Sequence, residues 1–348
     1  MKKINIIANK SYISNLLLAP VRYNLQKFKS ENILININYG ISEFFLSSDV
    51  LIIFSKPIIE LVQEKEEVFQ ETGPIIQFLK KARSFTGKLI WFDSTDGAGM
   101  PHFEVMPYID LYFKGLMYKD KSIYKKGLYG GRLFTDYYHR NNSIIDENEI
   151  KPFYPLEDKY LHKLKLSWTL GLGDIYNLAN IMRRKITSKF VDYLPTNYDF
   201  KFVSPSTKRS IDVFLKFSAL VERNTVSYHR KIVLDRIKKI GHENLNLNIY
   251  SGANGRSYFD LFKGDFFSFK KYHRVMSNSK IIIGPFSYGD INGRDYESII
   301  NGTLLLKPDI SYIDVYPNLL INEETYLPFD WDLKNLNLDM INKIIIED

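Results

Sequence analysis

Ser277-Asn-Ser-Lys-Ile-Ile-Ile-Gly-Pro-Phe-Ser-Tyr-Gly-Asp-Ile-Asn-Gly-Arg-Asp-Tyr-Glu-Ser-Ile-Ile-Asn-Gly-Thr-Leu-Leu-Leu-Lys-Pro-Asp309 runs from a strand through a glycine-rich loop into a helix and out to a second strand. Ile281–Ile283 is a short, uninterrupted apolar run, the pattern of a strand buried on both faces. Gly284, Gly289 and Gly293 follow, and a helix opens at Arg294. In an open α/β sheet, ligands sit outside the carboxyl ends of the strands, where helix N-termini turn free N–H groups toward anions. Glycines let the backbone approach a phosphate closely. Arg294 offers a rigid charged fork for a pyrophosphate. Glu297, on the same helical face, can accept hydrogen bonds from ribose hydroxyls. An Arg-x-x-Glu pair alone would be an ordinary surface ion pair; the loop and the strand in front of it give it more meaning.

The same alternation extends in both directions. Upstream, strands are expected at Ile4–Ala8, Ile33–Ile37, Val50–Phe54, Lys88–Phe92 and Ile109–Phe113, with a helix over Pro74–Arg83 stopped by Gly87. Residues 115–165 are rich in Tyr, Lys and Gly and show little periodicity, so irregular structure at the edge of a cleft is expected. A helix is expected over Asp174–Lys189. Downstream come strands at Ile211–Phe217, Leu245–Tyr250, Lys280–Gly284 and Thr303–Lys307, with helices at Val226–Ile240, Phe267–Ser277 and Arg294–Asn301. The expected fold is therefore α/β, with two Rossmann-like domains of mostly parallel sheet facing across a cleft. Their bounds are residues 1–194 and 210–335, joined by a Pro-containing polar linker at 195–209. Residues 336–348 are expected to form a last helix packed back on the first domain.

Composition supports a folded chain: 45% of residues are apolar and 25% charged, too rich a core for disorder. There is no cysteine, which removes disulfides, thiolate metal sites and thiol nucleophiles together. Asn5, Asn9 and Lys10 interrupt the N-terminal apolar run, so it reads as a first strand rather than a signal peptide. No segment approaches the ~20 apolar residues of a membrane span. A cytoplasmic location is expected, with contact at most with an anionic membrane surface. The net charge of +7 and the 24 Tyr and 24 Phe are also compatible with nucleic acid, but a low-GC genome inflates Lys, Ile, Asn, Tyr and Phe together. Basic residues are dispersed over both halves and no recognition motif is present, so no nucleic-acid partner is expected.

Ser279-Lys280, Pro285, Gly289, Arg294, Glu297, Gly302 and Pro308 together resemble the donor-binding motif of GT-B glycosyltransferases, most closely the exostosin-like and spore-coat-like bacterial groups. The resemblance takes in the Tyr272–Ser277 helix and Thr325–Trp331 and covers roughly residues 210–335. The first half matches only as a general partner domain. In many such enzymes a second acidic residue lies seven or eight positions before the helix glutamate, and Asp290 occupies that place. The resemblance implies transfer of a sugar from a UDP- or GDP-linked donor to a glycan or lipid-linked acceptor, in surface-polysaccharide assembly. It also implies that a basic residue after the strand Ile211–Phe217 holds the donor diphosphate in place of a metal. Arg223, nearest the strand end, and Arg230 are the candidates there, and the alternative is a solvated basic helix face. The loop Ser251–Arg256, with Gly252, lies where it can line the base or sugar pocket.

In the first half, Trp91-Phe-Asp-Ser-Thr-Asp-Gly-Ala-Gly-Met-Pro-His-Phe-Glu104 follows a strand. An inverting transferase needs a carboxylate or imidazole to take the acceptor's proton. Asp96 is the first candidate, His102 the second and Asp93 the third; turn capping or a satisfied polar network is the competing role. Asp93 and Asp96 are one residue too far apart for an Asp-x-Asp metal motif, and the six histidines have no zinc-site spacing, so no metal or cofactor is expected. A nucleotide-sugar epimerase or hydrolase of the same fold is the alternative enzyme.

Overall fold

A computed structural model of the chain describes residues 1–10, 12–42, 45–62, 68–147, 154–169, 202–218, 221–241, 245–252 and 269–347. Through the first half run β1 (Lys2–Ile7), α1 (Tyr12–Tyr23), α2 (Leu25–Ser30), β2 (Ile33–Asn38), β3 (Ser48–Phe54), α3 (Ser55–Val62), α4 (Pro74–Arg83), β4 (Thr86–Asp93), β5 (Leu111–Lys114), β6 (Leu116–Tyr118), α5 (Leu133–Asn142) and β7 (Leu164–Leu166). The second half carries β8 (Ile211–Ser218), α6 (Asn224–Ile240), β9 (Leu247–Gly252), α7 (Phe269–Ser277), β10 (Ser279–Ile283), α8 (Gly293–Ile300), β11 (Leu304–Pro308), β12 (Ile313–Val315), β13 (Tyr326–Phe329) and α9 (Leu338–Glu347).

The chain divides into two compact units. The first comprises the described parts of Met1–Gly127, Lys151–Phe200 and Ile313–Pro317; the second those of Leu128–Ile150, Lys201–Tyr312 and Asn318–Asp348. In the first unit a six-stranded sheet has the order β2-β1-β3-β4-β5-β7, and every pairing is parallel. Its core gathers Ile6, Leu18, Ile52, Phe54 and Phe92. A small antiparallel pair, β6 with β12, belongs to the same unit. In the second unit a five-stranded sheet has the order β13-β11-β10-β8-β9, again wholly parallel. Val213, Leu215, Val233, Ile281, Ile283 and Leu306 fill its core. Both units are thus α/β and Rossmann-like, because apolar runs such as Ile281–Ile283 can be buried on both faces only in a parallel sheet covered by helices.

Four sequence expectations change. Residues 115–165 are not irregular: they contain β6, α5 and β7, and residues 128–147 belong to the second unit. Gly87 does not stop α4, whose last turn closes at Ser84; it lies in β4, where a Cβ would stand 2.9 Å from the Asp49 carbonyl oxygen. The described part of the linker is docked on the second unit. Val203 N–H bonds the Ile300 carbonyl at 2.9 Å and the buried Arg209 bonds that of Asn301 at 3.1 Å. Gly302, with φ of +58°, makes this docking possible, since a Cβ there would meet the Val203 oxygen at 2.3 Å. Finally, α9 packs in the core of the second unit through Ile341, not on the first. The helix expected over Asp174–Lys189 lies outside the described residues.

Candidate functional site

In the second unit, the loop after β10 is held from three sides. Phe286 donates its backbone N–H to His229 Nε2 at 3.0 Å, so this nitrogen is the bare one. The ring proton sits on Nδ1, which donates to Tyr138 Oη at 2.7 Å, and Tyr138 donates in turn to the Trp331 carbonyl at 2.8 Å. Burial, followed by Arg230 and Lys307, pushes the imidazole well below its ordinary pKa, so His229 is neutral. Arg230 Nε bonds the Phe286 carbonyl at 3.0 Å and Nη1 the Ser218 carbonyl at 2.8 Å. Consecutive side chains of α6 therefore clamp both polar groups of Phe286. Lys307, at the end of β11, reaches the Gly284 carbonyl at 3.3 Å and forms an ion pair with Asp295 at 2.9 Å; both side chains are fully buried.

Asp295 also accepts from Asn292 N–H at 2.9 Å, while the Asn292 side chain accepts from Arg294 N–H at 3.1 Å. This is a capping box, and it corrects the expectation of free N–H groups at the start of α8: the first turn is already capped. The cap takes up the N–H groups of Asn292 and Arg294. Arg294 and Glu297 meet at Tyr272, whose hydroxyl donates to Glu297 Oε2 at 2.7 Å and feels the charge of both. Lys216 on β8 lies 5.1 Å over the Tyr272 ring, and burial, then Arg294, lower its pKa. Burial, then Arg294, also bring Arg230 down to about 10, which leaves it charged at neutral pH. Lys216 and Arg230 thus each lie within the field of Arg294, near the carboxyl ends of β8 and β10, the ligand edge of a parallel sheet.

Arg223 stands directly before α6, 3.8 Å from Asp146 and 3.5 Å from the Gly130 carbonyl. Asp146 in turn caps α6, accepting from Thr225 N–H at 2.8 Å, so this helix start is occupied as well. Asp290 is fully buried and accepts from Tyr312 at 2.7 Å, which ties it into the fold. Gly289 is buried in the loop, with its carbonyl 3.2 Å from Ser287 N. Gly252 ends β9 opposite Ser218; residues 253–256 of that expected loop lie outside the described residues. Asp295, Lys307 and Asp146 were missed from sequence. The available signal was a lysine closing an apolar strand, Leu304-Leu-Leu-Lys307.

In the first unit, the third base candidate is engaged. Asp93, at the end of β4, accepts from Lys114 at 2.8 Å, Tyr112 at 2.7 Å, Thr95 N–H at 2.9 Å and Thr95 Oγ1 at 2.7 Å. Burial works to raise its pKa, but Lys114 and His102 override this and bring it down to about 2. A carboxylate so acidic and so fully bonded is an anchor and not a base. His102 is nearly buried, stacked on Phe69 with ring centroids 4.8 Å apart and edge-on to Trp91. Asp96, by contrast, is exposed. Among the described residues no group of three or more His, Asp or Glu stands in metal-ligating geometry. No helix among them is long and apolar enough to cross a membrane.

No protein-family model and no curated protein matches the sequence. Among solved structures, the chain is similar to a crystal structure of an α1,3-fucosyltransferase, with 14% identity and a TM-score of 0.41, over 99% of this chain and 77% of that one. It is also similar to the glycosyltransferase GlyE of Streptococcus pneumoniae TIGR4, with 8% identity and a TM-score of 0.19, over 99% of both chains. Likenesses this distant say nothing of what this chain does. The fold and site define a two-unit parallel α/β protein with cations gathered at one sheet edge.

Proposed function

We propose that the chain is a GT-B glycosyltransferase that moves a sugar from a nucleotide-sugar donor, UDP- or GDP-linked, to a glycan or lipid-linked acceptor in surface-polysaccharide assembly. The observation that carries this is Arg230. Among the described residues its hydrogen bonds go to two carbonyl oxygens and none to a carboxylate, although it is 9% exposed and feels the charge of Arg294. Buried charge of one sign is costly until an anion answers it, and a diphosphate supplies two charges. Arg294 and Arg230, with Lys216 and Arg223, take the diphosphate and steady the charge that develops as it departs, without a metal. Glu297 accepts from the ribose hydroxyls. Asp96 is the base that receives the acceptor's proton, because it combines exposure with a place beyond the end of β4. The protein works in the cytoplasm and meets anionic membrane only at its surface.

Thermal shift with UDP-, GDP-, CDP- and ADP-sugars, with and without EDTA, tests the proposal. One donor at a hundredfold excess over its Kd adds about 2.7 kcal/mol, EDTA leaves the gain intact, and Arg294→Ala abolishes most of it. If no nucleotide sugar stabilises the protein, the proposal is wrong. A gain that vanishes in EDTA removes the metal-free mechanism alone.

A further inference from the structure

The ring of His229 is committed at both nitrogens. Nε2 accepts the Phe286 N–H at 3.0 Å, and Nδ1–H donates to Tyr138 Oη at 2.7 Å. The single proton of Tyr138 goes on to the Trp331 carbonyl at 2.8 Å, so this chain of bonds admits one tautomer. The Phe286 and Tyr138 rings flank the imidazole at centroid distances of 5.1 and 5.3 Å, and the side chain is fully buried. All of these residues belong to the second unit.

A second proton would undo the arrangement. An imidazolium has two N–H donors and no lone pair, so Nε2–H would point at the Phe286 N–H 3.0 Å away. The charges around the ring add to the conflict. Arg230 follows His229 on α6 and Lys307 faces it from β11, and both oppose protonation. The hydroxyls on α5 are neutral, since burial raises Tyr138 and Tyr137 above their ordinary range. The nearby carboxylates are engaged elsewhere. Asp295 pairs with Lys307 at 2.9 Å, Asp146 caps α6 at Thr225, Asp290 accepts from Tyr312, and Asp332 pairs with Lys334 at 2.6 Å.

Three side chains fasten the loop: His229 on the Phe286 N–H, Arg230 on the Phe286 carbonyl and Lys307 on the Gly284 carbonyl. Guanidinium and ammonium groups gain no proton on acidification. Of the three, only the imidazole changes its bonding capacity as the medium becomes acid. We propose that neutral His229 is a latch for residues 284–289: opening frees Nε2, which takes a proton from acidic solution and keeps the loop open until the proton leaves. The latch rests on the geometry of the second unit alone, whatever anion this edge of the sheet receives.

Burial, then Arg230 and Lys307, hold the closed ring well below 6.5, whereas an opened ring returns toward that value. A histidine depressed in the closed form lends that form its full stability above the open value and withdraws it as pH falls below. From pH 7.5 to 5.5 the open fraction should therefore rise about ten-fold. Amide hydrogen exchange followed by mass spectrometry, corrected for the intrinsic rate, measures this on the ligand-free chain. Residues 284–289 should exchange about ten-fold faster at pH 5.5, while β8 in the same sheet keeps its protection. In His229→Gln the side-chain oxygen can accept from Phe286 and takes no proton, so the pH step should vanish. Tyr138→Phe keeps the ring but strips Nδ1–H of its acceptor, and loop exchange at pH 7.5 should rise at least about five-fold. This second variant decides the matter if His229→Gln does not fold. The latch is refuted by a wild-type loop indifferent to pH, by an equal step in β8, by a step that persists in His229→Gln, or by a Tyr138→Phe loop as protected as the wild type. Because no ligand enters the measurement, a failure of nucleotide binding would overturn the proposed function and leave this result standing.

Discussion

Lys307→Met removes the buried partner of Asp295 and leaves a carboxylate with no access to water. The side chains lie 2.9 Å apart with neither exposed, and removing one member of such a pair costs about 3–5 kcal/mol. In a unit of this size each kcal/mol lowers Tm by about 2–4 °C, so a fall on the order of 10 °C is expected. Asp295→Asn on the same background neutralises the stranded group and keeps an acceptor for Asn292 N–H. The double variant should therefore regain at least about 2 kcal/mol, a coupling readable from a double-mutant cycle. Burial already holds the Asp295 carboxyl above its usual range, with Lys307 opposing. Without the lysine its pKa climbs further. An acid raised in the folded state favours folding while protonated and loses that advantage as pH rises through its folded value. The Lys307→Met deficit should accordingly be smallest near pH 4 and largest at neutral pH. Urea unfolding followed by circular dichroism across this range measures it. A neutral-pH cost under about 1 kcal/mol, or a double variant no more stable than Lys307→Met, would refute the account of the pair.

Two predictions concern the first unit. Asp93 falls from 3.8 to about 2, so its contribution is present above the unfolded value and lost as pH drops from about 4 toward 2. Asp93→Asn should cost at least about 2 kcal/mol at pH 7 and leave nucleotide affinity unchanged; calorimetry and a UDP titration check both. Asp96→Asn should preserve folding and donor binding while single-turnover transfer falls by about 10²–10⁴. Near-normal transfer in that variant, with loss in a folded His102→Ala protein, would make the imidazole the base.

The strands were legible because a parallel sheet buried on both faces leaves unbroken apolar runs; Val50–Phe54 and Ile281–Ile283 are the plainest cases. Helix α5 was not legible, because its buried face is Phe134, Thr135 and Tyr138 among other aromatic and polar residues, with little contrast between faces. In the proposed site, Arg294 and Glu297 stand out as a pair because their spacing is local. What positions them is not local. Asp146 caps α6 from 79 residues away, and His229 holds Phe286 across 57. Lys307 was hidden because a buried lysine at a strand end looks like a solvated one until its carboxylate partner is known. The free helix N-termini were expected from a general rule that Asn292 and Asp146 override here.

The chain enters its second unit, leaves it and returns. Residues 128–147 supply α5 and the Asp146 cap before the first unit has received β7, and β12 is taken from the second half to pair with β6. Neither unit is therefore a continuous piece of the gene. A fragment cut at residue 201 would lack Tyr138, leaving the Nδ1 proton of His229 without its acceptor and the first turn of α6 uncapped. The complementary fragment would keep a stranded helix α5 with Phe134 and Tyr138 uncovered, and a β6 edge without its mate. Dissection into separately expressed halves has to proceed by transplanting these excursions through circular permutation or grafting, not by choosing a better cut.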